Sequence, residues 1–195
     1  MMGIYKKQTG FTIVELLIVI VIIGILAAIT IVAYNGIQGR SRDAQRVQDM
    51  QTIVKALELY KTTNGSYPAA VGTANASGWE VSHNGTSATN FLSALVTNKT
   101  ISQVPLDPAN MGTVVSTTSL APSWTSDNKT YFYHRYGAGA SGGCDATRGA
   151  FYVLGVTRFD TVPSGQSAPS SPGFSCPGRN WAIEGAWVTG GYTNG

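Results

Sequence analysis

Few side chains in this 195-residue sequence are of a kind and at a spacing that could do chemistry. Gly139-Ala140-Ser141-Gly142-Gly143 fits G-x-S-x-G, which would offer Ser141 as a nucleophile. Gly137-Ala138-Gly139-Ala140-Ser141-Gly142 fits the phosphate-cradling G-x-G-x-x-G. Both patterns need a helix directly afterwards. Cys144-Asp145-Ala146-Thr147-Arg148-Gly149 is too short to supply one, so the glycines read as a hairpin loop and no enzyme is expected. A membrane-anchored or secreted hydrolase working through Ser141 is the alternative in another class. His83 and His134 are the only histidines, and His134 sits between Tyr133 and Arg135, where a structural or solvent-facing role fits best. Asp107, Asp127, Asn128 and Asp145 carry oxygen donors without EF-hand spacing, so neither a metal nor a cofactor is expected.

Chemistry of another sort is written near the amino terminus. Glu15 is the single charge in the 24 residues from Phe11 to Tyr34 (FTIVELLIVIVIIGILAAITIVAY). A carboxylate in an apolar helix is costly and normally has a partner. The plain reading places it near the helix start, at the interface, helped by the positive end of the helix dipole. The sharper reading looks at Gly10-Phe11. Cleavage between them would create an ammonium one helical turn from Glu15, a counter-charge on this chain or on a neighbouring one.

The element that positions Glu15 is long enough to cross a membrane. A helix of that length covers about 36 Å against a hydrocarbon core of about 30 Å. A removable secretory signal, with Ala33 as the small residue before a cut, fits poorly because its apolar part is typically about 7–15 residues. Lys6 and Lys7 precede the span and Arg40, Arg42 and Arg46 follow it, so flanking charge does not set the orientation.

The stretch Gly10-Phe11-Thr12-Ile13-Val14-Glu15-Leu16-Leu17-Ile18-Val19-Ile20, continuing through Ile23-Gly24-Ile25-Leu26-Ala27-Ala28-Ile29, resembles the start of a type IV pilin or pseudopilin. The resemblance implies that a prepilin peptidase removes residues 1–10 and N-methylates Phe11. It implies a single-pass protein of the inner membrane with its head outside. Assembly machinery would then stack the apolar helices into the core of a filament, where Glu15 neutralises the Phe11 amine of an adjacent subunit. The filament is a pilus, or the pseudopilus of a type II secretion or competence system. This sequence departs from many pilins in having its first proline at Pro68, so a kink or local melting would have to begin at Gly24, or at Gly36 and Gly39.

Composition agrees with an appendage plus one domain. Only 12% of residues are charged, and the formal net charge is +3. Residues 65–195 hold six basic and six acidic side chains. The basic balance therefore marks no nucleic-acid face, and a sequence-specific nucleic acid partner is not expected.

Residues 35–64 continue the helix beyond the span. Ala44, Val47, Met50, Ile53, Val54, Leu57 and Tyr60 form an apolar stripe at three- and four-residue steps, with Arg40, Arg42, Asp43, Arg46, Asp49, Lys55 and Lys61 on the other sides. Asn64-Gly65 is a helix stop. Gly65-Ser66-Tyr67-Pro68 also resembles the family's helix ending. The expected fold class is α+β and type IV pilin-like. A long amino-terminal helix, transmembrane in its first half, would pack on a small antiparallel sheet within a head of residues 65–195. Residues 88–98 read as a short helix capped by Thr89 or Asn90, with Phe91, Leu92 and Leu95 inward. Residues 100–110 read as loop. Strands are expected over Thr130–Tyr136, Ala150–Phe159 and Trp181–Val188, and Ser164–Gly173 reads as a low-complexity surface loop. In an exported head, Cys144 and Cys176 are expected to pair rather than stay free. Such a bridge would close a loop of about 30 residues and contribute ~3 kcal/mol. Pilins often bound a carboxy-terminal region with such a bridge.

Overall fold

The computed structural model describes residues 10–71, 78–83, 90–111, 129–140, 142–163 and 165–194. The chain divides into an amino-terminal unit, residues 1–38, and a compact unit, residues 39–195. Helix α1, Ile13–Asn64, contributes to both. Its start is a capping box: the Glu15 N–H donates to Thr12 Oγ1 at 3.2 Å while Thr12 N–H donates to the Glu15 carboxylate at 2.7 Å. Its end is a left-handed glycine, Gly65 at φ 75°, whose N–H reaches the Lys61 carbonyl at 2.8 Å. The helix runs unbroken through Gly24, Gly36 and Gly39.

Within residues 39–195, α1 lies on one face of a four-stranded antiparallel sheet. The strands are β1 (Glu80–Val81), β2 (Tyr131–Tyr136), β3 (Phe151–Val156) and β6 (Trp187–Tyr192), in the order β1-β2-β3-β6. A second, two-stranded ribbon pairs β4 (Ser175–Cys176) with β5 (Arg179–Asn180). Strand pleating sorts the side chains cleanly. Tyr131, Tyr133, Tyr152, Leu154, Val156 and Trp187 meet Met50, Ile53, Ala56 and Leu57 on the helix side. Phe132, Phe151, Val153 and Val188 face the other way, into an outer aromatic layer with Trp79, Tyr136 and Trp181. The sheet is thus buried on both faces, which explains its aromatic content.

Two expected elements need correction. The short helix is only α2, Ser93–Thr97; its cap position is Leu92 at φ 48°, without a side-chain cap. Asn90 therefore does not cap it, and Thr89 lies outside the described residues. The backbone N–H of Leu92 is satisfied instead by buried Glu80, whose Oε2 accepts it at 2.8 Å. Phe91, Leu92 and Leu95 do point inward. The last strand starts at Trp187, not Trp181, because Asn180 caps a 3-10 turn over Trp181–Ile183. It then continues through Gly190 and Gly191. A Cβ at Gly190 would stand 2.4 Å from the Phe174 ring, so the missing side chain is what lets that ring lie on the strand. Residues 165–173 are a mostly exposed loop, as expected, fastened at two points: Ala168 is buried and its N–H reaches the Ala186 carbonyl at 2.6 Å, and Trp187 Nε1 donates to the Ser170 carbonyl at 2.9 Å. Ser164 itself lies outside the described residues.

Candidate assembly site

At the start of α1, Gly10 and Phe11 are exposed and precede the first helical residue, so the peptide bond between them is open to solvent. Thr12 follows as the helix cap. It gives both its N–H and its hydroxyl to Glu15 Oε2, each at 2.7 Å. No described residue donates to Oε1, which leaves that oxygen available to a cation. Thr12 was legible only as part of the threonine-x-x-glutamate spacing, which marks a capping box. Beyond it, large apolar side chains such as Ile13, Leu17, Ile23, Ile29 and Tyr34 are exposed. By length and apolar composition this part of α1 qualifies as a membrane span, and none of that stretch is buried by the rest of the chain.

The charged side chains at the base of the head do the opposite. Arg46 is wholly buried, and Asp43 beside it is nearly so, although their type places them on a solvated face. Ala44, expected inward, is exposed. Phase explains both outcomes, since 43, 46, 50, 53 and 57 follow three- and four-residue steps along one face. Arg46 donates Nε and Nη2 to the two oxygens of Asp107 at 2.7 and 3.0 Å, and Nη1 to Asp43 and Asp160 at 2.6 Å each. Arg42 and Lys129 also bind Asp160. Asp43 in turn accepts the N–H groups of Asp160 and Thr161 at 2.8 Å and the Thr161 hydroxyl at 2.7 Å.

The network fixes its own protonation. Burial alone would push the Arg46 guanidinium down, but its bonds to Asp107 and Asp160 outweigh that and its pKa rises. Burial would raise Asp160, yet Arg42, Lys129 and Arg46 hold its carboxyl well below the usual carboxylate range. Two acids are perturbed the other way. Burial raises Asp49, which accepts the Tyr131 hydroxyl at 2.7 Å, and burial raises Glu80, which accepts the Val71 and Leu92 N–H groups.

The remaining candidates do not converge on a reaction centre. Ser141 lies outside the described residues, and the stretch after it makes a 3-10 turn, Ala146–Arg148, not the helix an elbow needs. Asp107 spends both oxygens on Arg46, while Asp145 is exposed and caps that 3-10 turn through Thr147. Asp127 and Asn128 are outside the described residues, among which no group of three potential metal ligands is found. His134 packs on Trp79 and Tyr136 with Nδ1 at 2.9 Å from the Gly78 carbonyl, and burial lowers its pKa. Cys144 and Cys176 form a disulfide with Cα atoms 5.0 Å apart, joining the β2–β3 connection to the β4–β5 ribbon.

Comparison with known proteins gives these geometries a context. Residues 5–31 match the family model described as the prokaryotic N-terminal methylation motif. The type II secretion system core protein G of Vibrio cholerae is 38% identical over 63 residues, which is 32% of this chain and 43% of that protein. The proteins of the same name from Aeromonas hydrophila and Escherichia coli K12 are 36% and 39% identical over 63 and 62 residues. In each case the aligned part is 32% of this chain and 44% or 43% of the relative, so the chain spans under half the length of the curated relatives it matches. No solved structure matches. The methylation motif, the exposed apolar helix and these relatives support the type IV pilin and pseudopilin family over the part of the chain that they cover.

Proposed function

We propose that the protein is a structural subunit of a type IV pilus-like filament, assembled through residues 11–34. The observation that carries this reading is the pairing of an exposed apolar helix with one carboxylate, at its capped end, whose second oxygen takes no hydrogen bond from a described residue. Prepilin peptidase cuts between Gly10 and Phe11 and the new amine of Phe11 is N-methylated. The subunit waits as a single-pass protein of the inner membrane with its head outside. Assembly machinery then moves it into a helical homopolymer, where Glu15 takes the amine of an adjacent subunit as its counter-ion. The apolar faces that nothing covers in the single chain are buried by neighbouring copies.

Within this reading, the name of the relatives favours the pseudopilus of a type II secretion system over a long surface pilus. Long fibres built from this protein would argue for the pilus; loss of secretion without visible fibres would argue for the pseudopilus. Mass spectrometry of the amino-terminal peptide from membrane-derived protein tests the common step. The expected first residue is N-methylated Phe11, and a mature start at Met1 or Tyr34 would overturn the assignment.

A further inference from the structure

Ile183 is 75% exposed, more than any other large apolar side chain described in residues 39–195. Scattered apolar side chains on a surface are ordinary. The mounting of this one is not, because both residues before it in the 3-10 turn are anchored. Trp181 is wholly buried in the outer layer, and the Ala182 carbonyl accepts the Ser167 hydroxyl at 2.7 Å. A rigid turn therefore holds an isoleucine out in water, with little side-chain and backbone freedom left to lose on docking.

On the helix side of the sheet the same unit carries a groove of about 350 Å³, floored by Val47, Val54, Pro172 and Trp187, with Gln51 and Lys55 along its α1 wall. Lys55 is exposed and makes no ion pair among the described residues. Glu184, directly after Ile183, keeps its side chain 21% exposed while both its oxygens accept from Arg179, at 2.9 and 2.8 Å. An apolar side chain followed by an acid thus faces an apolar groove bordered by a base. Polarity and charge order agree.

We propose that Ile183 of one copy seats in the groove of the next, with Glu184 against Lys55. Ile183 is not among the residues lining the groove, so the contact joins two different patches. Contacts between unlike patches repeat in one direction and build open polymers instead of closed pairs. The inference rests on the filament reading and adds the head surface that would set the stagger of adjacent subunits.

Since Cys144 and Cys176 are paired, introduced thiols act as reporters. The test uses the full chain, expressed with its assembly machinery, carrying Ile183→Cys together with Gln51→Cys. Oxidised filaments run without reductant should give a ladder of dimers, trimers and larger species, absent from either single variant. Filaments that assemble without a ladder overturn the inference and leave the filament reading standing. A product that stops at the dimer, or that joins only another protein, overturns it as well. If the unsubstituted chain never assembles and the double variant gives no ladder, both readings fall. Ile183→Ala, which truncates a side chain 75% exposed in the single chain, should weaken lateral association about tenfold or more; unchanged assembly would sink the proposal.

Discussion

Glu15 and Arg46 lie on one helix, and their treatment could hardly differ more. Arg46 is surrounded: three carboxylates answer it, and their remaining oxygens are taken up by Arg42, Lys129 and backbone N–H groups. Among the described residues Glu15 has only Thr12, and its segment exposes its largest apolar side chains. The charges around Arg46 are therefore answered inside the head, whereas among the described residues the amino-terminal segment is open both in charge and in apolar area. Chemistry that a single chain leaves incomplete is chemistry reserved for another molecule. The difference teaches that charge alone does not mark function; whether the charge is answered inside the chain does.

The contrast can be broken most forcefully at Arg46. Arg46→Met leaves Asp107, Asp43 and Asp160 without their shared cation and should destabilise the full-length protein by roughly 3–5 kcal/mol. Chemical unfolding followed by tryptophan fluorescence reads it; a loss under about 1 kcal/mol would mean the network is not integral to the head.

A middle-sized effect comes from acid. Asp160 has a depressed folded-state pKa, so its contribution is fully present above the unfolded value of about 3.9 and is lost as pH falls further. Asp49 and Glu80 have raised values, so their contribution is fully present below about 4 and is lost as pH rises through their folded values. The thermal midpoint should therefore hold or rise slightly from pH 7 to 5 and drop steeply below 4. A steady decline from pH 7 downward would contradict the assignment of Asp160 as the dominant perturbed acid.

The smallest effect on the fold sharpens the comparison most. Glu15→Val should shift the unfolding midpoint by no more than about 0.5 kcal/mol, as for other surface substitutions. Cleavage after Gly10 should persist while recovery of sheared filaments is lost. Normal filaments from this variant would remove the charge-pairing idea and leave the exposed apolar area as the only driving force.

Much of this was legible in residue order. The helix start, the Asn64-Gly65 stop and strands β2 and β3 follow from local pattern, because aromatic and branched runs buried on both faces leave a strong signal. Failures arose where tertiary contacts reverse a local meaning. Asp43 and Arg46 have charged types in an inward phase, and their partners are 61 to 118 residues away in sequence. Gly190 and Gly191 read as the end of a strand because the rings that occupy their space come from elsewhere, Phe174 at Gly190 and Tyr152 at Gly191. Thr12 was hidden by its own plainness.

That ring on the glycine has a further implication. Val188, Gly190 and Tyr192 share one face of the final strand, alternating with its helix-facing residues. Sliding β6 by two positions in either direction would keep its pleat and its hydrogen-bonding sense, yet bring valine or tyrosine under Phe174, where not even a methyl fits. The closing strand is therefore told where to stop by an aromatic peg lying outside the sheet, dropped into a notch that only the absence of a side chain can make.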